Sequence, residues 1–167
     1  MRARRFERVR SGSRELPVPM PTLRLSRGHR RFAYATIAAV WLSGVLWLVY
    51  HYGLQREGSF GPEPHPLESW WLRLHGLAAF ISLFAFGLLW GVHIRAGLAF
   101  ARRRLSGLLL LVLLIILSLS GYLLYYAGDE TLRDAVRVVH WLLGLALLLP
   151  FVVHVVRARR QRDARGG

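Results

Sequence analysis

The sequence predicts an all-α fold: a transmembrane four-helix bundle with both termini in the cytoplasm. Three observations predict it. Apolar residues make up 54% of the 167 residues, and they gather in four blocks of bilayer-spanning length, about 32–53, 69–95, 105–127 and 135–157. None of these blocks has an acidic residue in its apolar middle. All 23 basic residues are Arg, and 19 of them lie in 1–31, 95–104 and 157–167. Six of the nine acids (Glu57, Glu63, Glu68, Asp129, Glu130 and Asp134) lie in the other two connections or their flanks. The positive-inside rule then puts both ends and the 95–104 loop in the cytoplasm, and turns the 54–68 and 128–134 connections outward.

Taken in order, residues 1–31 form a basic arm with ten Arg and few large apolar residues, expected to be mostly disordered and cytoplasmic. The block 32–53 follows this basic segment as a first span or uncleaved signal-anchor, the same physical object. Residues 32–157 form the four-helix domain, and 158–167 a basic cytoplasmic tail. Trp41, Trp47, Trp70, Trp71, Tyr122, Tyr125 and Tyr126 crowd the block ends, mainly the outer ones, as interfacial anchors do. Pro150 is expected to kink the fourth helix. Ser118, Ser120 and Gly121 suit close helix packing, or a hydrogen bond to a cofactor.

The net charge of +14 could suggest a nucleic-acid partner. Its position explains it as a topology signal instead, so the expected surroundings are membrane lipid, with no nucleic acid. The chain has no Cys, which excludes disulfides, thiolate metal sites, iron–sulfur clusters and the attachment motif of a c-type haem.

Histidines inside membrane helices are costly and point to function. His140 and His154 are fourteen residues apart, within about 40° of four full turns, so both leave one face of the fourth helix about 21 Å apart along its axis. Gly144 follows one turn after His140 on that face and leaves room there. His75 and His93 are eighteen residues apart on the second helix, about five turns or 27 Å. The second and fourth helices run parallel, both from outside to inside. His93 and His154 are level near the inner edge; His75 and His140 pair near the outer edge with a mismatch of about 4–5 Å, within ordinary tilt.

Two level pairs of imidazoles on facing helices match the need of bis-histidine haem iron: two neutral nitrogens on opposite sides of a porphyrin. The metal ligands expected are therefore His75 with His140 and His93 with His154, for two b haems. Arg73, Arg133 and Arg137 outside, and Arg95 and Arg157 inside, stand at levels where propionates want cationic company. Snorkelling at the interface explains the same arginines, and packing hydrogen bonds between helices are the bland role for the histidines. Zinc or copper transport and proton pumping lack the carboxylates, thiolates or thioethers that line such paths. His51, at the outer end of the first helix, is an alternative outer ligand, a proton acceptor beside a quinone site, or a plain interface residue. His29 and His65 lie in loops and receive no role.

The run Leu74-His75-Gly76 to His93, then Arg104-Leu105-Ser106-Gly107, then Ser120-Gly121-Tyr122-Leu123-Leu124-Tyr125-Tyr126, then His140, Gly144 and His154, resembles bacterial four-helix di-haem cytochromes b. These include the membrane subunits of formate dehydrogenases and nickel–iron hydrogenases and small stand-alone relatives. The similarity covers about residues 32–157. It implies b-type haem, a quinone or quinol partner, a redox partner protein on the periplasmic side and electron transfer across the bacterial inner membrane, with an electron-transfer subunit expected over a self-contained enzyme and any substrate chemistry belonging to a partner or a quinone site. Two ligands on each of two helices is closer to the cytochrome b of quinol:cytochrome c oxidoreductases, because the first helix here offers only His51, at its outer end. Two alternatives remain at this stage: a one-haem protein, and a haem-free membrane scaffold or assembly subunit.

Overall fold

A computed structural model describes residues 26–94 and 105–166, without the side chains of Val92, His93, Arg162, Arg165 and Gly166. The remaining part of the arm and the 95–104 loop, including Arg95, lie outside the described residues. Four helical spans, of 27, 24, 22 and 32 residues, are long and apolar enough to cross a membrane.

Helix α1 covers Arg27–Leu48 and continues as a π-helical turn over Val49–Gly53. It starts earlier than the apolar pattern suggested, so residues 27–31 belong to the first helix and not to the arm. The cause is a cap: Ser26 Oγ accepts from the backbone N–H of His29 and also meets the His29 ring nitrogen. Such a cap supplies an acceptor that the first helical turn lacks.

The first connection is not a plain loop. Strands β1 (Arg56–Gly58) and β2 (Gly61–Glu63) pair antiparallel, Gly58 opposite Gly61, with Gly61 at φ 118° in the left-handed region that glycine favours. This hairpin is the exception to an all-α fold. Helix α2 (Pro66–Leu89) then begins within the predicted loop, and extends as a π-helical turn over Trp90–Ile94. His65 caps it by accepting from the Leu67 N–H, Pro66 fills a first-turn position that needs no N–H, and Glu68 suits the positive helix end.

Helix α3 covers Leu105–Tyr126. After the short turn, Asp129 caps helix α4 (Glu130–Ala146) by accepting from the Leu132 N–H at 2.6 Å. The fourth span is interrupted at Leu147 and resumes as α5 (Leu148–Gly166). Pro150 accounts for the interruption. It has no N–H to give the Ala146 carbonyl, whereas the Leu147 and Phe151 N–H groups still reach carbonyls four residues back. The predicted tail at 158–167 is helical through Gly166.

α1 packs along α2, α3 packs along α4 and α5, and α1 also meets α4. Tyr34 on α1 stands edge-on to Phe151 on α5. The buried positions are mostly small: Ala33, Thr36, Ser43, Ala78, Ala85 and Ser120, with Leu147 the one large exception among the described residues. Phe80, Phe84 and Leu149 point outward and are exposed. Small residues inside and large apolar ones outside let helix backbones approach closely, as in membrane bundles.

Candidate functional site

The site builds up from three Ser-Gly dipeptides. Ser43-Gly44 sits on α1; Ser106-Gly107 and Ser120-Gly121 sit on α3. Each stands beside one histidine of a neighbouring helix. The serine meets Nδ1 of the imidazole, and the glycine leaves the space that the ring edge fills.

His75 on α2 gives the clearest case. Its Nδ1 lies 2.9 Å from the Val40 carbonyl and 3.3 Å from Ser43 Oγ. A carbonyl can only accept, so Nδ1 carries the proton and donates. Ser43 supports this, since its own hydroxyl is directed at the Ala39 and Val40 carbonyls, at 2.7 and 3.0 Å. A Cβ on Gly44 would lie 3.1 Å from Cε1 and 3.2 Å from Nδ1 of His75, but 4.0 Å from Nε2. The ring therefore turns its Nδ1–Cε1 edge to α1 and its Nε2 away.

His140 on α4 repeats this against α3. Ser120 Oγ lies 2.8 Å from His140 Nδ1 and donates its own hydrogen to the Leu117 carbonyl at 3.1 Å. With that hydrogen on the carbonyl, the serine oxygen accepts from Nδ1–H. A Cβ on Gly121 would meet His140 Cε1 at 3.4 Å. One helical stretch further along, Ser106 Oγ lies 3.3 Å from His154 Nδ1, and a Cβ on Gly107 would meet His154 Cε1 at 3.7 Å. Ser106 and Ser120 are fourteen residues apart on α3, as His154 and His140 are on the antiparallel fourth span, so one register serves both contacts.

His75 and His140 face each other. Their ring centroids are 6.2 Å apart and their planes cross at 88°. With Nδ1 protonated, as the Val40 carbonyl requires at His75, the Nε2 atom holds a lone pair. With metal–nitrogen bonds of about 2 Å, and about 1.1 Å from nitrogen to ring centre, two imidazoles on opposite sides of one ion have centres about 6.3 Å apart. Among the described residues there is no group of three or more His, Cys, Asp or Glu able to hold a metal. Two protein ligands suffice where a macrocycle supplies the rest, so the donor set fits haem iron better than a bare ion.

Other predicted residues lie elsewhere. Gly144 faces α3, where a Cβ would meet Leu117 at an ordinary 3.9 Å; the glycines beside imidazoles are Gly44, Gly121 and Gly107. Arg73 lies over the Trp70 ring, 5.4 Å from its centre. His51 stacks on Trp47 and pairs through Nδ1 with Glu68 at 2.7 Å, so its partner is a carboxylate of α2. His65 is a helix cap. The His93 side chain, the predicted partner of His154, and Arg95 lie outside the described residues.

Sequence reasoning missed the serine partners. The signal was present as a matched spacing: two Ser-Gly pairs fourteen residues apart, opposite two histidines with the same separation. No family model, curated protein or solved structure matches the chain.

Proposed function

We propose that this chain is a membrane b-type cytochrome that carries electrons through two bis-histidine haems. His75 with His140 holds the haem at the hairpin end, and His93 with His154 holds the one at the opposite end. The observation that carries the proposal is the His75–His140 pair, with each Nδ1 engaged by the neighbouring helix and the ring centres 6.2 Å apart.

Bound haem iron supplies one-electron chemistry. The chain's residues do the rest. His75 and His140 would hold the iron through neutral ring nitrogens, and Val40, Ser43 and Ser120 orient the two rings, as outer-shell partners of metal-bound histidines do. Gly44 and Gly121 set the depth of each ring. The same Ser-Gly cradle at His154 supports a second site about 21 Å further along the fourth span. Two sites toward opposite bundle ends suit transfer across a bilayer.

The exposed apolar exterior suits hydrocarbon, and the arginine distribution puts both termini in the cytoplasm with the hairpin outside. The corresponding place is a bacterial inner membrane, with a periplasmic redox protein on one side and the quinone pool as second partner. Reduced-minus-oxidised spectra with haem quantified per chain test the proposal. A haem-free scaffold is the competing assignment, favoured by the fact that the Ser120–His140 bond already ties two helices together. It predicts a purified protein without a b-type spectrum.

A further inference from the structure

Buried polar groups normally have partners, because an unmade bond leaves the desolvation cost standing. Among the described residues, six buried side-chain atoms have none: Nε1 of Trp41, Trp47, Trp71 and Trp141, Nε of Arg137, and Oγ of Ser82. Five of the six are N–H donors. All five lie within four residues of Ser43, His75 or His140 along the chain, the three members of the hairpin-end site.

Three of the five form a layer. Trp71 precedes His75 by one turn on α2. Arg137 precedes His140 by just under one turn on α4. Trp47 follows Ser43 by one turn on the antiparallel α1. Each step leads toward the hairpin end, so all three stand about 4–6 Å beyond the imidazole pair. One-turn neighbours share a helix face, so Trp71 and Arg137 lie on the histidine faces and Trp47 on the face of Ser43. The nearby carboxylates are already taken. Glu68 pairs with His51, and Asp134 accepts from Arg137 Nη2 at 2.8 Å, leaving Nε unpartnered. The layer offers two indole N–H groups and the guanidinium Nε, all unpartnered, while the carboxylates beside it are engaged.

We infer that Trp47, Trp71 and Arg137 form a carboxylate-binding subsite that holds the propionates of the haem at His75 and His140. This rests on the haem assignment above. The chemistry is specific: an oxyanion at this level would satisfy buried N–H groups that the chain leaves unmatched, and charge-assisted bonds of this kind are the strong ones. The subsite assigns the propionates to two indoles and Arg137. Arg73, which lies over Trp70, is not needed for it.

The test uses full-length protein in detergent, stripped of haem and titrated with protohaem or with protohaem dimethyl ester, whose propionates carry no charge. Wild type should bind protohaem more tightly than the ester, by about tenfold for each bond lost. Trp47→Phe, Trp71→Phe and Arg137→Gln should each weaken protohaem binding at one of two haem equivalents while leaving ester binding unchanged. Three variants guard against one that merely misfolds, and retained ester binding reports an intact site. Unchanged protohaem-to-ester preference in all three variants would overturn the subsite while leaving the haem assignment standing. Failure of wild type to bind either porphyrin with a bis-histidine spectrum would overturn the haem assignment itself.

Discussion

The imidazoles of His75 and His140 stand 6.2 Å apart, centre to centre, with their planes at 88°. Each comes from a different helix pair, and each is held from behind by the other helix of its pair. Removing either ring should therefore empty one site and spare the other. His75→Ala and His140→Ala should each lower haem from about two to about one per chain, measured by pyridine haemochrome against protein. Two haems retained in both variants would rule this pair out as ligands.

The glycines give a graded prediction. Gly44→Ala puts a methyl 3.1 Å from His75 Cε1, against the edge of a ring that Val40 already holds, so the imidazole must shift. The overpacking cost is about 1–3 kcal/mol, offset by up to about 1 kcal/mol of helix propensity. Gly121→Ala meets His140 at 3.4 Å and should be milder; Gly144→Ala meets Leu117 at 3.9 Å and should be neutral or stabilising. The order of haem-loss temperatures in detergent checks this, with Gly44→Ala lowest and Gly144→Ala at or above wild type.

The spans, and the nearness of the His75 and His140 rings, were legible in the sequence because both rest on simple periodicity: apolar length for the spans, helical phase for the histidines. The Ser-Gly cradles were not, because a serine and a glycine in an apolar helix read equally as close-packing residues. The contact of α1 with α2, and the antiparallel contact of α3 with α4 and α5, turn them into partners. Helix starts at Arg27 and Pro66 were missed for a different reason. Ser26 and His65 cap through side-chain hydrogen bonds, which extend helix into segments whose apolar pattern has ended. The role of His51 depended on Glu68, which the sequence places in a connection and the structure places in the first turn of α2.

Ser120 acts only through His140. Ser120→Ala removes the acceptor of the Nδ1 proton at 2.8 Å without adding bulk. The fold should persist, and haem affinity should fall by about 10–100-fold, the usual cost of losing an outer-shell partner. Haem titration reads the affinity. An affinity equal to wild type would show that the serine positions nothing.

His51 is tied to Glu68 and stacked on Trp47. His51→Ala should leave haem content and the b-type spectrum unchanged. A spectrum missing one haem would make His51 a ligand and displace His75 or His140.

The chain has no Cys, so single-cysteine variants report topology without background. Ser59→Cys, in the hairpin turn, should react with an impermeant maleimide in intact cells once the outer membrane is opened. Asp163→Cys should react only after the inner membrane is lysed. The reverse pattern would invert the orientation.

The most direct measurement is a dithionite-reduced-minus-oxidised absorption spectrum of the purified full-length protein, with haem counted per chain. Two b haems per chain is the expected result. A colourless protein, from cells able to make haem, would contradict it and leave the Ser120–His140 and Val40–His75 bonds as helix packing alone.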